Sequence, residues 1–283
     1  MSGVGVAPRR LSSPHRQTFG SIVLLVRWIQ LGFALLAVTL GLGALAGRGT
    51  YPETVHRATE LTEPVSQVVS VEPPDATLAR DAVVADAAHS VVKIQSTSYA
   101  CLTLMSGSGF VVAPQRVMTN AHVVAGADGV TVSVDAQEFE ATVVVYDPAA
   151  DIAVLDVPGL QAPPLDFADD IAWRGTDAVV LGYPGGGPFV AYPARVRGVV
   201  QLNGPDIYRT TTVFREVYTI RGKVGRGDSG GPLIDRDGRV LGMSFAAAMH
   251  DPEIGFVLTS KHVYPHVVDS GSAEPVATGA CVR

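Results

Sequence analysis

The chain has 283 residues, 47% of them hydrophobic, with 30 Gly, 19 Pro and a formal net charge of −6. That size supports one large domain or two small ones, and the low charged fraction of 17% among many turn formers suits an all-β fold better than a helical one. The acidic balance argues against nucleic acid as a partner, which would call for a basic face.

The charge is uneven along the chain. Residues 1–47 hold Arg9, Arg10, Arg16 and Arg27 and no acid, so the rest carries 17 basic against 27 acidic side chains. Residues 28–47 are uncharged and apolar all round. At 1.5 Å per residue a helix there is ~30 Å long, the thickness of a hydrocarbon core. With the arginines in front of it, the positive-inside rule keeps residues 1–27 cytoplasmic and exports the remainder to the periplasm or extracellular space. A cleaved signal peptide is the alternative, because Ala44-Leu45-Ala46 resembles a small-residue cleavage site; the length of the run favours an uncleaved single-pass anchor. Residues 48–80, broken by Pro52, Pro64, Pro73 and Pro74, read as an extended linker. The body is then 81–283.

That body reads as short strands. Val130, Val132 and Val134 alternate with polar residues, the signature of a half-buried strand. Further apolar or alternating runs fall at 109–113, 141–146, 152–157, 178–182, 194–202, 217–224, 239–246 and 255–258, separated by turn formers such as Asp147-Pro148 and Asn203-Gly204. Many short strands without interleaved long helices predict a sandwich or barrel. One short helix is predicted over 260–268, capped by Thr259 or Ser260 and limited by Pro265. The two cysteines, Cys101 and Cys281, form an even pair in an exported chain and read as a disulfide closing a 180-residue loop, worth at most ~5 kcal/mol of chain entropy.

Three segments carry the chemistry. Residues 225–234 read GRGDSGGPLI. A serine is a poor nucleophile without a base and an anion pocket, and a Gly-X-Ser-Gly turn lets the N–H groups of Gly227 and Ser229 converge on one point. Residues 117–126, VMTNAHVVAG, place His122 just after a strand-like stretch, where an imidazole can reach a barrel rim and carry a proton near neutral pH. The other six histidines lack such a context. Residues 147–157, DPAADIAVLDV, put Asp151 at the head of an apolar strand, placed to be desolvated and aimed at an imidazole. Asp147 before Pro reads as a turn former and Asp156 as facing water.

Together TNAHVV, DIAVL and GDSGGPL resemble the motifs of chymotrypsin-like serine proteases, in the chain order His, Asp, Ser. The resemblance covers about residues 91–258. It implies two packed six-stranded antiparallel β-barrels, with Ser229 as nucleophile, His122 as general base then acid, Asp151 as orienting carboxylate, and Gly227 and Ser229 as oxyanion donors. It also implies a specificity pocket lined by the segment around Lys223 and by Ser244, Phe245 and Ala246. Within the family, SGSGFVVAPQRVMTNAHVVAG, VVVYDPAADIAVLDVPGL and RVLGMSFAAAMHDPEIGFVLT look most like the MarP-type tethered periplasmic proteases of mycobacteria and related actinobacteria. That likeness implies a role in envelope stress or acid resistance and a Cys101–Cys281 bond that helps hold the active form. MarP-type proteins carry several membrane helices before the protease, whereas one apolar run stands here.

No Ile-Val-Gly-Gly-like start to the body is present, so Asp228 is expected to pair locally, with Arg226 as one candidate partner, or to sit exposed rather than to receive a new N-terminus. The expected enzyme is therefore a membrane-anchored serine endopeptidase acting on proteins or peptides of the cell envelope, with no cofactor and no metal. Two competing readings use the same residues: a catalytically silent protease-like binding or chaperone protein, and an acyl hydrolase of small esters.

Overall fold

The computed structural model describes residues 70–248, 251–271 and 274–282. The basic head, the apolar run and residues 48–69 of the linker lie outside the described residues; within them, no helix is long and apolar enough to cross a membrane.

Among the described residues, twelve strands close into two antiparallel six-stranded barrels. The first holds β1 (Val91–Ser98), β2 (Thr103–Ala113), β3 (Arg116–Thr119), β4 (Gly129–Val134), β5 (Gln137–Asp147) and β6 (Ile152–Asp156), in the order β1-β2-β3-β6-β5-β4. The second holds β7 (Asp177–Gly182), β8 (Val190–Pro205), β9 (Thr212–Gly222), β10 (Pro232–Ile234), β11 (Val240–Ala247) and β12 (Ile254–Thr259), in the order β10-β11-β12-β9-β8-β7. Pairing of β1 with β4 and of β7 with β10 closes the rings. This is the two-barrel, chymotrypsin-like architecture.

Strand alternation explains why the barrels pack. In β6, Ala153 and Leu155 fill the first barrel while Ile152 and Val154 join the core shared between barrels. In β7, Ala178 and Val180 fill the second barrel while Val179 and Leu181 face that shared core, where Phe110, Met118, Ile234 and Met243 meet them. Successive side chains of a strand point to opposite faces, so strands buried on both sides read as the unbroken apolar runs found in the sequence. Each large side chain so buried contributes about 1.5–3 kcal/mol.

The helices are short: α1 (Ala82–Ala88), α2 (Ala121–Val124) and α3 (Ser260–Asp269). As expected, Thr259 caps α3, its hydroxyl accepting from His262 N at 3.2 Å. Residues 70–80 differ from the extended linker expected. Arg174 and Arg221 donate to the carbonyls of Ser70 (2.7 Å) and Val71 (2.9 Å), Asp75 caps the 3₁₀ turn Ala76–Arg80, and Leu78 is buried. The part of the linker that is described thus belongs to the fold.

Candidate active site

The segment after β3 brings His122 to the barrel rim on the one-turn helix α2, because Asn120 locks it in place. Asn120 is fully buried and donates through Nδ2 to the Asp151 carbonyl at 2.8 Å. Asp151 stands just before β6, the strand paired with β3 (Thr119 opposite Ala153), with a left-handed backbone, φ +62°, a conformation that aspartate tolerates better than branched residues. Its buried carboxylate accepts from His122 N (3.0 Å) and from His122 Nδ1, 2.8 Å to Oδ2 and 3.1 Å to Oδ1. A carboxylate only accepts, so Nδ1 carries the proton and Nε2, on the opposite side of the ring, is the free base. Burial works against the charged imidazolium; the charge of Asp151 and its hydrogen bond outweigh that and the opposing charge of Arg215, so the His122 pKa lies above its ordinary value.

Ser229 comes from the loop between β9 and β10 in the second barrel. Its carbonyl accepts from Ser108 N at 2.8 Å, and next to it Gly230 packs so closely that an added Cβ would sit 3.1 Å from Asn120 N. The loop that bears Ser229 is thus pressed against the His122 segment. The hydrogen bond from Ser229 Oγ to His122 is not formed among the described residues, a looseness common in catalytic sites without substrate.

Gly227 has φ +93°, so the loop bends with a glycine at the bend. Asp228 N donates to Gly225 O and Gly230 N to Ser244 O, whereas the N–H groups of Gly227 and Ser229 have no acceptor among the described residues. Two unspent amides flank one residue beside the serine, the arrangement an oxyanion pocket requires.

A description of the trypsin-like peptidase domain matches residues 107–243. Serine protease Rv3671c of Mycobacterium tuberculosis is 54% identical over 223 residues, covering 78% of this chain and 56% of the relative. The solved active form of the Rv3671c protease overlays with a TM-score of 0.75 at 50% identity, over 84% of this chain and all of that one. A probable periplasmic serine endoprotease, DegP-like, of Brucella suis is 33% identical over 178 residues, 59% of this chain and 34% of the relative. The chain spans little more than half the length of the first of these curated relatives and about a third of the second.

This chain belongs to the trypsin-like serine protease family.

In this trypsin-like chain Asp228 pairs locally, as one of the two expectations had it, but with a different partner. It pairs neither with Arg226 nor with solvent: it is buried, and its Oδ2 accepts from Gly225 N at 2.8 Å. Burial pushes its carboxyl pKa up, against the Gly225 hydrogen bond and the charge of Lys223. Asp156 is likewise half-buried and paired with Arg116 instead of facing water. Ser244, Phe245 and Ala246 all lie in β11. Ser244 exchanges hydrogen bonds with the loop that bears Ser229, through Gly230 N and Gly231 O at 2.8 Å each, and β11 carries a register shift between Ser244 and Ala246. Lys223 is exposed, with Nζ 5.2 Å from the centre of the Tyr192 ring, in a groove shared with Pro73, Pro193 and Pro252.

Cys101 and Cys281 are bonded to one another. Two features escaped the sequence reading. His266 of α3 holds Asp147 at 3.1 Å, and Arg215 of β9 lies buried with its guanidinium 5.9 Å from the centre of the Phe245 ring. Neither carries a motif. A lone histidine on a helix and a single arginine in a strand are legible only once their partners, far away in the chain, are placed beside them.

Proposed function

We propose that the protein is a membrane-anchored, exported serine endopeptidase that cleaves peptide bonds through an acyl-enzyme. The observation that carries this reading is the hydrogen-bonded His122–Asp151 pair at the rim facing a loop whose Gly227 and Ser229 amides are unspent. Ser229 Oγ attacks the scissile carbonyl while His122 Nε2 takes its proton. Asp151 holds Nδ1–H and stabilises the imidazolium, and the two amides receive the oxyanion. The imidazolium then gives its proton to the leaving amine as the C–N bond breaks. Water repeats the sequence on the ester, returning Ser229 and releasing the acid. Ser244, Phe245 and Ala246 line the substrate's path as a strand that pairs with its backbone, and Lys223 borders the pocket. The likeness to MarP-type proteases supports a role in envelope stress or acid resistance, with envelope proteins or peptides as substrates. The uncharged run at 28–47 supports the membrane anchor, N-terminus inside.

The test is covalent labelling of the full-length protein by a fluorophosphonate probe, with cleavage of a denatured protein followed beside it. Labelling is expected for the parent and lost in Ser229→Ala. Persistent labelling of Ser229→Ala would remove Ser229 from the role. One observation favours the catalytically silent reading, the unformed Ser229–His122 hydrogen bond; a folded parent that never labels would establish it. Cleavage of small esters without denatured protein would instead favour the acyl hydrolase.

A further inference from the structure

Ser108 lies in β2 of the first barrel, yet all its polar groups are directed at segments other than its strand partner β1. It is fully buried. Its N–H donates to Ser229 O at 2.8 Å and its hydroxyl donates to Gly227 O at 2.6 Å. That same Oγ accepts from Tyr183 N at 2.8 Å, and the Ser108 carbonyl accepts from Thr119 Oγ1 at 2.7 Å. The residue therefore ties together the nucleophile loop, the Tyr183 segment after β7, and the strand end that leads to Asn120 and His122.

The carbonyls of the nucleophile loop show why this matters. Gly225 O accepts from Asp228 N, Arg226 O from Gly185 N, Asp228 O from Gly231 N, and Ser229 O from Ser108 N. All four are held by backbone donors. Gly227 O is the exception: it is held by the Ser108 side chain. Gly227 also has a left-handed backbone, φ +93°, and its own N–H is the one the protease reading assigns to the oxyanion. Gly182 leaves the room for this bridge, since a Cβ there would sit 2.8 Å from Ser108 Oγ.

We propose that Ser108 is a positioning residue for the oxyanion pocket: its hydroxyl, reaching across from the first barrel, fixes the peptide that follows Gly227 and so keeps the Gly227 and Ser229 amides converging on one point. The inference rests on the protease reading above and adds to it a specific residue outside the three motifs. Without the hydroxyl, Gly227 O is left buried and unpaired, and the peptide between Gly227 and Asp228 is free to turn in search of a donor. A pocket that must reorganise during the reaction loses much of its advantage over water, because its strength comes from dipoles already in place.

The test compares full-length parent, Ser108→Ala and Ser108→Cys, the last keeping a weak donor of similar shape. Four readouts are taken: kcat and KM on a peptide substrate, the pH profile, the affinity of a peptide aldehyde that forms the tetrahedral oxyanion, and the melting temperature. The proposal expects kcat of Ser108→Ala to fall about 10- to 100-fold, a share of what losing a whole donor costs, with KM within about twofold. Aldehyde affinity should fall by a similar factor and Ser108→Cys should lie between the two. The acid limb of the profile, which belongs to His122, should stay where it is. A kcat within about threefold of the parent, a loss carried mainly by KM, or a shifted acid limb would each overturn the proposal. Failure of both variants to fold would also overturn it, by assigning Ser108 to the core alone. An inactive, unlabelled parent would be a separate failure, that of the protease reading itself.

Discussion

His266 Nε2 stands 3.1 Å from Asp147 Oδ2, so the C-terminal helix holds the turn that presents Asp151 to His122. The other oxygen of Asp147 accepts from Ala149 N and Ala150 N, both at 2.9 Å, winding the chain into the bend that ends at Asp151. The hydrogen bond from His266, aided by these amides and resisted by burial, holds the Asp147 pKa down at about 2. A depressed carboxylate contributes stability that is present above its unfolded value of 3.8 and is lost as pH falls through about 2. With 37% of the side chain exposed, solvent screening reduces the full linkage to about 1 kcal/mol. Asp147→Asn should therefore be less stable than the parent by about that amount at neutral pH, with the gap closing as the pH approaches 2. Urea unfolding across this range checks it. A gap that widens in acid would mean that Asp147 is not the stabilising anion. His266→Ala should also slow turnover by roughly 3- to 10-fold, through looser aim of Asp151.

The histidine itself sets the pH response. Because Asp151 raises the His122 pKa above its ordinary 6.5, the neutral base is lost at a higher pH than for a free imidazole. The parent's kcat/KM should then fall on an acid limb above pH 6.5, and Asp151→Asn should move that limb down while cutting kcat by about 10⁴-fold. A limb below pH 6 in the parent would contradict the balance of burial and charge described for this site.

The disulfide secures more than a terminus. The segment leading to Cys281 donates from Val276 N to Val143 O (2.9 Å) and accepts at Thr278 O from Gly126 N (3.0 Å), just past the helix that carries His122. Joining Cys101 to Cys281 closes a loop with a sequence separation of 180. Its removal in Cys101→Ser/Cys281→Ser should cost about 2–5 kcal/mol and lower Tm under oxidising conditions. The same Tm with and without the bond would show that this segment is held by its hydrogen bonds alone.

The strand periodicity pointed only to a sandwich or barrel, and the two-barrel form followed from the family resemblance; His122, Asp151 and Ser229 stand out because each lies in a dense local motif, Asp151 apart from Asp147 and Asp156 by heading an apolar strand. Strand β1 was not legible. Its Ser96 and Ser98 are buried, and Ser96 satisfies itself with Oγ donating to Val123 O at 2.5 Å, so the polar letters hide a two-sided core strand. The partner of Asp228 is hidden for the opposite reason: a charged letter suggests another charge or solvent, and only the folded loop shows that the Gly225 amide takes that place. Ser108 and His266 act on partners 119 residues away in the chain in each case, Gly227 and Asp147, a relationship that no local pattern encodes.

Two glycines with similar backbones separate conformational strain from catalytic geometry. Gly227 (φ +93°) and Gly175 (φ +87°) both occupy the left-handed region. An alanine at either position pays about 1–2 kcal/mol for that backbone. Around Gly175 an added Cβ meets nothing within 4 Å, while at Gly227 it would sit 2.4 Å from Gly185 N and 2.7 Å from Tyr183 O, backbone atoms that cannot swing aside. Gly175→Ala should thus lose a little Tm and keep its activity. Gly227→Ala must push the loop off the Tyr183 segment, turning the Gly227 amide away from the serine, and should lose about 10²- to 10³-fold in kcat, the effect of one missing oxyanion donor. Measuring kcat and Tm for both variants decides the matter. Equal losses of activity would mean that backbone strain, and not the placement of the Gly227 N–H, limits the reaction.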